Sequence, residues 1–183
     1  DPGAGLDALQ LGIGEHALRH RSQSARTETL QGFHPRPAAA QMNVYFACSI
    51  TGGREFEPVY QAIVRALRED DHTVPTAHLA ESGVMDLESV IDPCEVYARD
   101  VAWIRACDVL VAEVSLPSHG VGYEIGFSLG LGKPVLALHQ EGRKISKMIS
   151  GNPDPNLSVE SYRTSEEAAL QIRKFLNKHK LYL

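Results

Sequence analysis

Three residues have the types and surroundings for acid–base or nucleophilic chemistry: Glu124, Asp100 and Tyr45. Glu124 lies in "EVSLPSHGVGYEIGFSLGLGKPVLAL", where an apolar run ends in a Ser-Pro-Ser-His-Gly loop and a helix-like segment opens on Gly-Val-Gly. Its plain reading is an acidic residue in a helix's first turn, favoured by the dipole. Its helical neighbours, however, are Val121, Phe127 and Ser128, and glycines recur at 122, 126 and 130, making one smooth face for close packing. A carboxylate at the rim of such a helix, beside an anion-binding loop, is a candidate nucleophile or base. Asp100 falls inside the apolar arc of Val96, Tyr97, Val101, Trp103 and Ile104. A mid-helix aspartate is a poor helix former and cannot be a cap. Pairing with Arg99 or Arg105 is the less natural arrangement, because adjacent helical residues point apart. A functional role and a buried structural hydrogen bond both fit it. Two carboxylates at one pocket suit glycosidic bond cleavage, one attacking the anomeric carbon while the other assists the leaving group or orients the attacker. The Tyr45 phenol, on the first strand, is placed to hydrogen-bond and position the nucleophile.

Two loops look built for an anion. In "CSITGGR", Gly52 and Gly53 let backbone N–H groups approach a ligand, Arg54 brings a charge, and Ser49 and Thr51 bring hydroxyls. In "SLPSHG", Ser118 and Gly120 stand at a helix N-terminus, where free N–H groups and the dipole favour phosphate. Neither is a Walker loop or a GxGxxG fingerprint, and an ordinary strand-to-helix turn competes with each reading. Glu113 is a spare carboxylate at a strand end, read as an edge-of-sheet ion pair. His78 is either a pocket residue or a satisfied structural histidine, and His119 is as readily solvent-exposed. "GRKISKMISGN" places Ser146 and Lys147 where spacing alone assigns no role. His16 and His20 have i, i+4 spacing but no third ligand, so no metal site is expected.

These residues need elements to hold them. "NVYFACSI" reads as a strand, "TGGRE" as a turn, and Val59, Ile63 and Leu67 as the stripe of a helix. "HTVPTAHL" reads as a second strand whose proline favours an edge or strand end. Pro93 opens a helix to about Cys107, "DVLVAEV" is a strand buried on both faces, and a helix runs from about Gly120 to Leu131. "PVLAL" and "SVESY" complete five strands, and "SEEAALQIRKFLNKHK" is a last amphipathic helix with Ser165 as its expected N-cap. Alternating strands and helices imply a parallel sheet covered on both faces, with ligands at the carboxyl ends of the strands. That rule selects the same two loops.

Bulk properties bound the partners. The 183 residues suit one globular domain, and a net charge of -5 supplies no footprint for a nucleic-acid backbone. Three cysteines without CxxC spacing suggest neither a disulfide framework nor a zinc knuckle, so a reducing compartment is expected, cytoplasmic and also nuclear. No apolar stretch is long enough to span a bilayer, and no membrane partner is expected. Residues 1–41, rich in Arg, Ser, Ala and Pro, read as a tail without stable structure, and residues 42–183 as the folded domain. Acidic residues Asp7, Glu15 and Glu28 argue against a mitochondrial presequence.

The stretches "YFACSITGGRE", "TAHLAE", "ARDVAWIRACDVLVAEVSLPSHGVGYEIG" and "ISKMISG" resemble the 2'-deoxynucleoside 5'-phosphate N-hydrolases, relatives of the nucleoside 2-deoxyribosyltransferases. The resemblance implies a Rossmann-like (flavodoxin-like) homodimer without cofactor or metal. Such an enzyme splits the N-glycosidic bond of a deoxynucleoside 5'-monophosphate into free base and 2-deoxyribose 5-phosphate. By the same resemblance Glu124 is the nucleophile that carries a glycosyl-enzyme, Asp100 assists departure of the base and Tyr45 orients the glutamate. Cys48, Ser49, Ile50, Thr51, Gly52, Gly53, Arg54, Ser118 and Gly120 fall on phosphate-loop positions. Tyr60 and His78 match residues lining the nucleotide site, while Ser146 and Met148 match a segment that reaches a neighbouring subunit's site. Thr51 and Cys48 stand where the family commonly has Arg and Gly, so one charged phosphate contact is missing unless Arg54 or Lys147 replaces it. Losing such a contact costs ~1.5 to 3 kcal/mol. A deoxyribosyltransferase, and a nucleotide-binding module without catalysis, are the alternative functions.

Overall fold

The structure is a computed structural model that describes residues 41–180; the expectations for the tail, His16 and His20 included, concern residues outside that range. Its elements follow in the order β1 (Val44–Ala47), α1 (Glu57–Glu69), a 3-10 turn (Ala77–Ala80), α2 (Val84–Glu88), α3 (Pro93–Ala106), β2 (Val109–Glu113), α4 (His119–Gly130), β3 (Val135–Gln140), α5 (Lys147–Ser150), β4 (Leu157–Tyr162) and α6 (Ser165–His179). The four strands pair in parallel in the order β1-β2-β3-β4. This is the α/β class expected from the alternation of elements, with four strands in place of five.

The missing strand is "HTVPTAHL". It makes one parallel bridge, Asn43 to Thr73, beside β1. Pro75 has no N–H to continue a ladder, and the chain turns into the 3-10 segment instead. The exposed edge of β1 is satisfied in another way: Val44 N donates to Thr73 O at 2.8 Å, and Phe46 N donates to the Thr76 hydroxyl at 3.0 Å. A side-chain oxygen thus replaces the backbone acceptor a fifth strand would have offered. At α6 the cap is Thr164, whose hydroxyl accepts from Glu167 N, and the expected cap Ser165 is already the first helical residue.

Period-2 alternation sorts the strand side chains between two layers. Val44, Phe46, Val109, Val111, Leu136 and Leu138 pack against α1 and α6 through Ile63, Leu67, Ile172 and Phe175. Tyr45, Ala47, Leu110, Ala112, Val135 and Ala137 pack on the opposite face against α3 and α4 through Ile104, Val121 and Ile125. Tyr45 is therefore delivered to the face that carries the two helices holding Asp100 and Glu124. Among the described residues, no helix is long and apolar enough to cross a membrane.

Candidate active site

Helix α4 begins at Ser118, whose hydroxyl accepts from Val121 N, and its buried stripe is Val121, Ile125 and Ser128. Glu124 is three residues beyond Val121 and four before Ser128, so it shares that stripe. It sits in the second turn, beyond the span over which a helix dipole stabilises an acid. What meets it is the phenol of Tyr45, donating to Glu124 Oε1 at 2.6 Å, the length of a charge-assisted O–H···O bond. Burial lifts the Glu124 carboxyl to about 7; the Tyr45 bond lowers it and the charge of Asp100 raises it further. Burial, with the adjacent Glu124, also drives the Tyr45 hydroxyl well above its ordinary range, so the phenol keeps its proton.

Helix α3 is capped by Asp92, which accepts from Cys94 N, with Pro93 at its first position. Its Asp100 lines a cavity of about 610 Å³ together with Glu124, Ile50, Thr51 and Gly120, a volume ample for a nucleotide. Both carboxylates thus open onto one space, with the two sequence-selected loops at its rim. The expectation that Asp100 would not pair with Arg99 is overturned, because Arg99 Nε donates to Asp100 Oδ1 at 2.9 Å. The arginine stem is long enough to bring its head group to the carboxylate of the next residue, which backbone direction alone does not reveal.

The two loops also touch. Gly52 N donates to Ser49 Oγ at 3.1 Å, and a Cβ on Gly52 would lie 2.5 Å from that oxygen and 2.8 Å from the backbone carbonyl of Pro117 in the second loop. Gly53 has φ +116°, a region that glycine alone adopts readily. Gly52→Ala is therefore expected to force the loops apart and to weaken inorganic phosphate or nucleotide binding at least ~10-fold, measured by calorimetry. Unchanged affinity would mean that the loop junction does not form the anion end.

Other anticipated residues are placed differently. The Arg54 guanidinium donates to Glu57 Oε2 at 2.8 Å and to the carbonyls of Leu79, Ala80 and Glu81, bracing the 3-10 turn instead of facing the cavity. Tyr60 is fully buried against Phe46, and Cys48 is a neutral thiol pushed by burial up to about 12; neither lines the cavity. His78 turns to Glu88, with Nε2 at 3.3 Å from Oε1. Ser146 caps the short α5 by accepting from Met148 N, and Met148 is 83% exposed; both lie outside this chain's own cavity. Glu113 forms no edge ion pair. Strand β2 is interior, so the carboxyl is buried, accepting from Ser115 and, at 2.9 Å, from the Tyr162 hydroxyl, and burial raises its pKa.

Sequence reasoning placed Val96 and Tyr97 beside Asp100 but did not single out Met85 and Ile91, which complete an apolar wall with them and Pro93, nor the acid Glu88 within it. Those side chains come from α2, the link after it and the first turns of α3, so they share a face only once the two helices pack together. Among the described residues lining the cavity, the ionisable acids are Glu88, Asp100 and Glu124, and there is no lysine or arginine. An anion there would be held by backbone N–H groups, hydroxyls and the α4 N-terminus.

Fold and site define an α/β domain with a phenol-bonded carboxylate and a second acid facing one cavity at the carboxyl ends of a parallel sheet. The chain belongs to the nucleoside 2-deoxyribosyltransferase family, whose model matches residues 44–171. It is 41% identical to the 5-hydroxymethyl-dUMP N-hydrolase of Mus musculus over 138 residues, spanning 73% of this chain and 79% of that protein. Against the Homo sapiens protein of the same name it is 39% identical over 156 residues, 82% of this chain and 86% of the other. Among solved structures, the CMP N-glycosidase BcmB of Clostridium botulinum superposes with a TM-score of 0.56 at 19% identity, over 72% of this chain and 98% of that one. That likeness speaks for the fold.

Proposed function

We propose that the chain hydrolyses the N-glycosidic bond of 2'-deoxynucleoside 5'-monophosphates, releasing free base and 2-deoxyribose 5-phosphate. The observation that carries this reading is the 2.6 Å Tyr45–Glu124 bond in a cavity that Asp100 also lines. With Oε1 held by the phenol, Oε2 is the oxygen left to attack C1'. The C1'–O bond forms as the C1'–N bond breaks, and its electron pair leaves with the base, which takes up a proton with the help of Asp100. Water then adds at C1' and frees Glu124. A base laid against the apolar wall would displace water from the reacting atoms, so the developing charges would be met by fixed groups. The names of the mouse and human relatives, both N-hydrolases of a deoxynucleotide, support the same reaction class. In a homodimer, the exposed Met148 and neighbouring Ser146 would be offered to the other copy's site, and Lys147 beside them would bring a cation that this chain's cavity lining lacks.

Chromatographic detection of free base tests the proposal. Each deoxynucleotide is incubated beside its ribo counterpart and its unphosphorylated nucleoside, with and without a second free base. Release only from the deoxynucleotide is the expected result. Equal release from the nucleoside would remove the role of the phosphate, and a new nucleoside formed from the second base would make the protein a transferase.

A further inference from the structure

The wall behind Asp100 is built from charged groups that the reaction above does not use. Arg99 Nη1 and Nη2 donate to the two oxygens of Glu88 at 3.1 and 3.2 Å, while its Nε donates to Asp100 Oδ1 at 2.9 Å. A fork gripped at both ends in this way has little freedom to turn. The indole of Trp103, four residues further along α3, lies beneath the guanidinium with 5.0 Å between the guanidinium carbon and the ring centroid. His78 closes the far end, bonded to Glu88 and edge-on to Trp103 at 5.8 Å. Glu88 and Asp100 line the cavity, whereas Arg99 stands behind them. Asp100 accepts no other side-chain bond among the described residues, and Glu124 opens onto the same cavity as a like charge once ionised. An unheld carboxylate there would swing away from Glu124.

We propose that Arg99 is a positioning residue: anchored by Glu88 and seated on Trp103, it holds the Asp100 carboxylate at the angle from which it meets the departing base. The inference rests on the N-glycosidase reading and adds to it the device that orients the second acid. A plain structural ion pair joining α2 to α3 would use the same bonds, so the test must separate the two.

Base release is followed for wild type, Arg99→Gln, Arg99→Lys, Asp100→Asn and the Arg99→Gln/Asp100→Asn double variant, on deoxynucleotides whose bases differ in leaving ability. Arg99→Gln is expected to lower kcat about 10- to 100-fold with KM changed less than about threefold, as misplacement of a catalytic group does. The deficit should shrink as the base becomes a better leaving group. The double variant should be no slower than Asp100→Asn alone, and Arg99→Lys should recover part of the loss. Glu88→Gln, which keeps the side-chain shape, should reproduce the pattern at smaller size if Arg99→Gln folds poorly. Losses that multiply in the double variant, or a deficit independent of the base, would overturn the proposal. A crystal structure of Arg99→Gln reads the clamp without turnover. Asp100 turned from its wild-type rotamer is expected, and Asp100 unmoved would refute the clamp even if wild type released no base. A wild type that released none would count against the N-glycosidase reading by itself.

Discussion

Glu124→Ala is expected to reduce base release on the order of 10⁴-fold or more while nucleotide binding, followed by calorimetry, stays within a few fold. In the proposed reaction the carboxylate is the atom source for the C1'–O bond, and no other group is placed to replace it. Binding persists because the loops at Gly52 and Ser118 and the apolar wall are untouched. Added azide or formate, small anions that fit the space left by the side chain, should restore part of the turnover; no rescue together with near-normal activity would remove Glu124 from the reaction.

The same residue sets a pH dependence. In the proposed reaction only the ionised carboxylate attacks, and burial lifts its pKa to about 7, so kcat/KM should fall about tenfold per unit below that pH. In Tyr45→Phe the limb should move to higher pH, because the phenol's bond favours the charged form. Stability has the opposite slope. The folded state keeps the proton up to about 7, whereas an unfolded glutamate, with its ordinary value of 4.5, has released it. The resulting stabilisation is complete below the unfolded value and is lost as pH rises through the folded one. Glu124→Gln should therefore be more stable than wild type at pH 8, by up to about 3 kcal/mol, with the gap closing toward pH 4. Denaturant midpoints across that range would reveal the trend, and an unchanged gap would place the carboxylate in water.

Asp100→Asn is expected to slow base release about 10²- to 10³-fold, the usual scale for losing a positioned proton-transfer group. The shape of the side chain survives, but the amide cannot carry a proton to the leaving base. The loss should be largest for poorly leaving bases and should fall on kcat, since the proposed role of Asp100 is in passage over the barrier and not in ground-state binding. An equal rise in KM with kcat preserved would make it a binding residue. The variant should keep its fold, because Arg99 retains its paired bonds to Glu88.

How much of this was legible in the chain follows from how local each signal is. Strand and helix identity are carried by period and caps: "DVLVAEV" forms β2, Pro93 opens α3 and Ser118 opens α4. Parallel pairing then puts the loops after β1 and β2 side by side, so their neighbourhood was readable without coordinates. Glu124 stood out as a candidate because a carboxylate within an apolar stripe costs free energy unless a partner meets it, as Tyr45 does. Local rules failed at "HTVPTAHL", where Pro75 and the Thr76 hydroxyl turned an expected strand into a bridge. They failed again at Arg54, whose charge goes to Glu57 and backbone carbonyls.

By itself, the sequence determined the α/β class, the strand that carries Tyr45 and the acids available for chemistry, because these depend on neighbours within a few residues. The tertiary structure decided which of those groups meet. The 2.6 Å bond joins residues 79 apart, and the Arg99 clamp joins residues 11 apart across an irregular segment. Contacts of that kind depend on how whole helices pack against the sheet and on where long side chains find partners, and no periodicity in the chain encodes either.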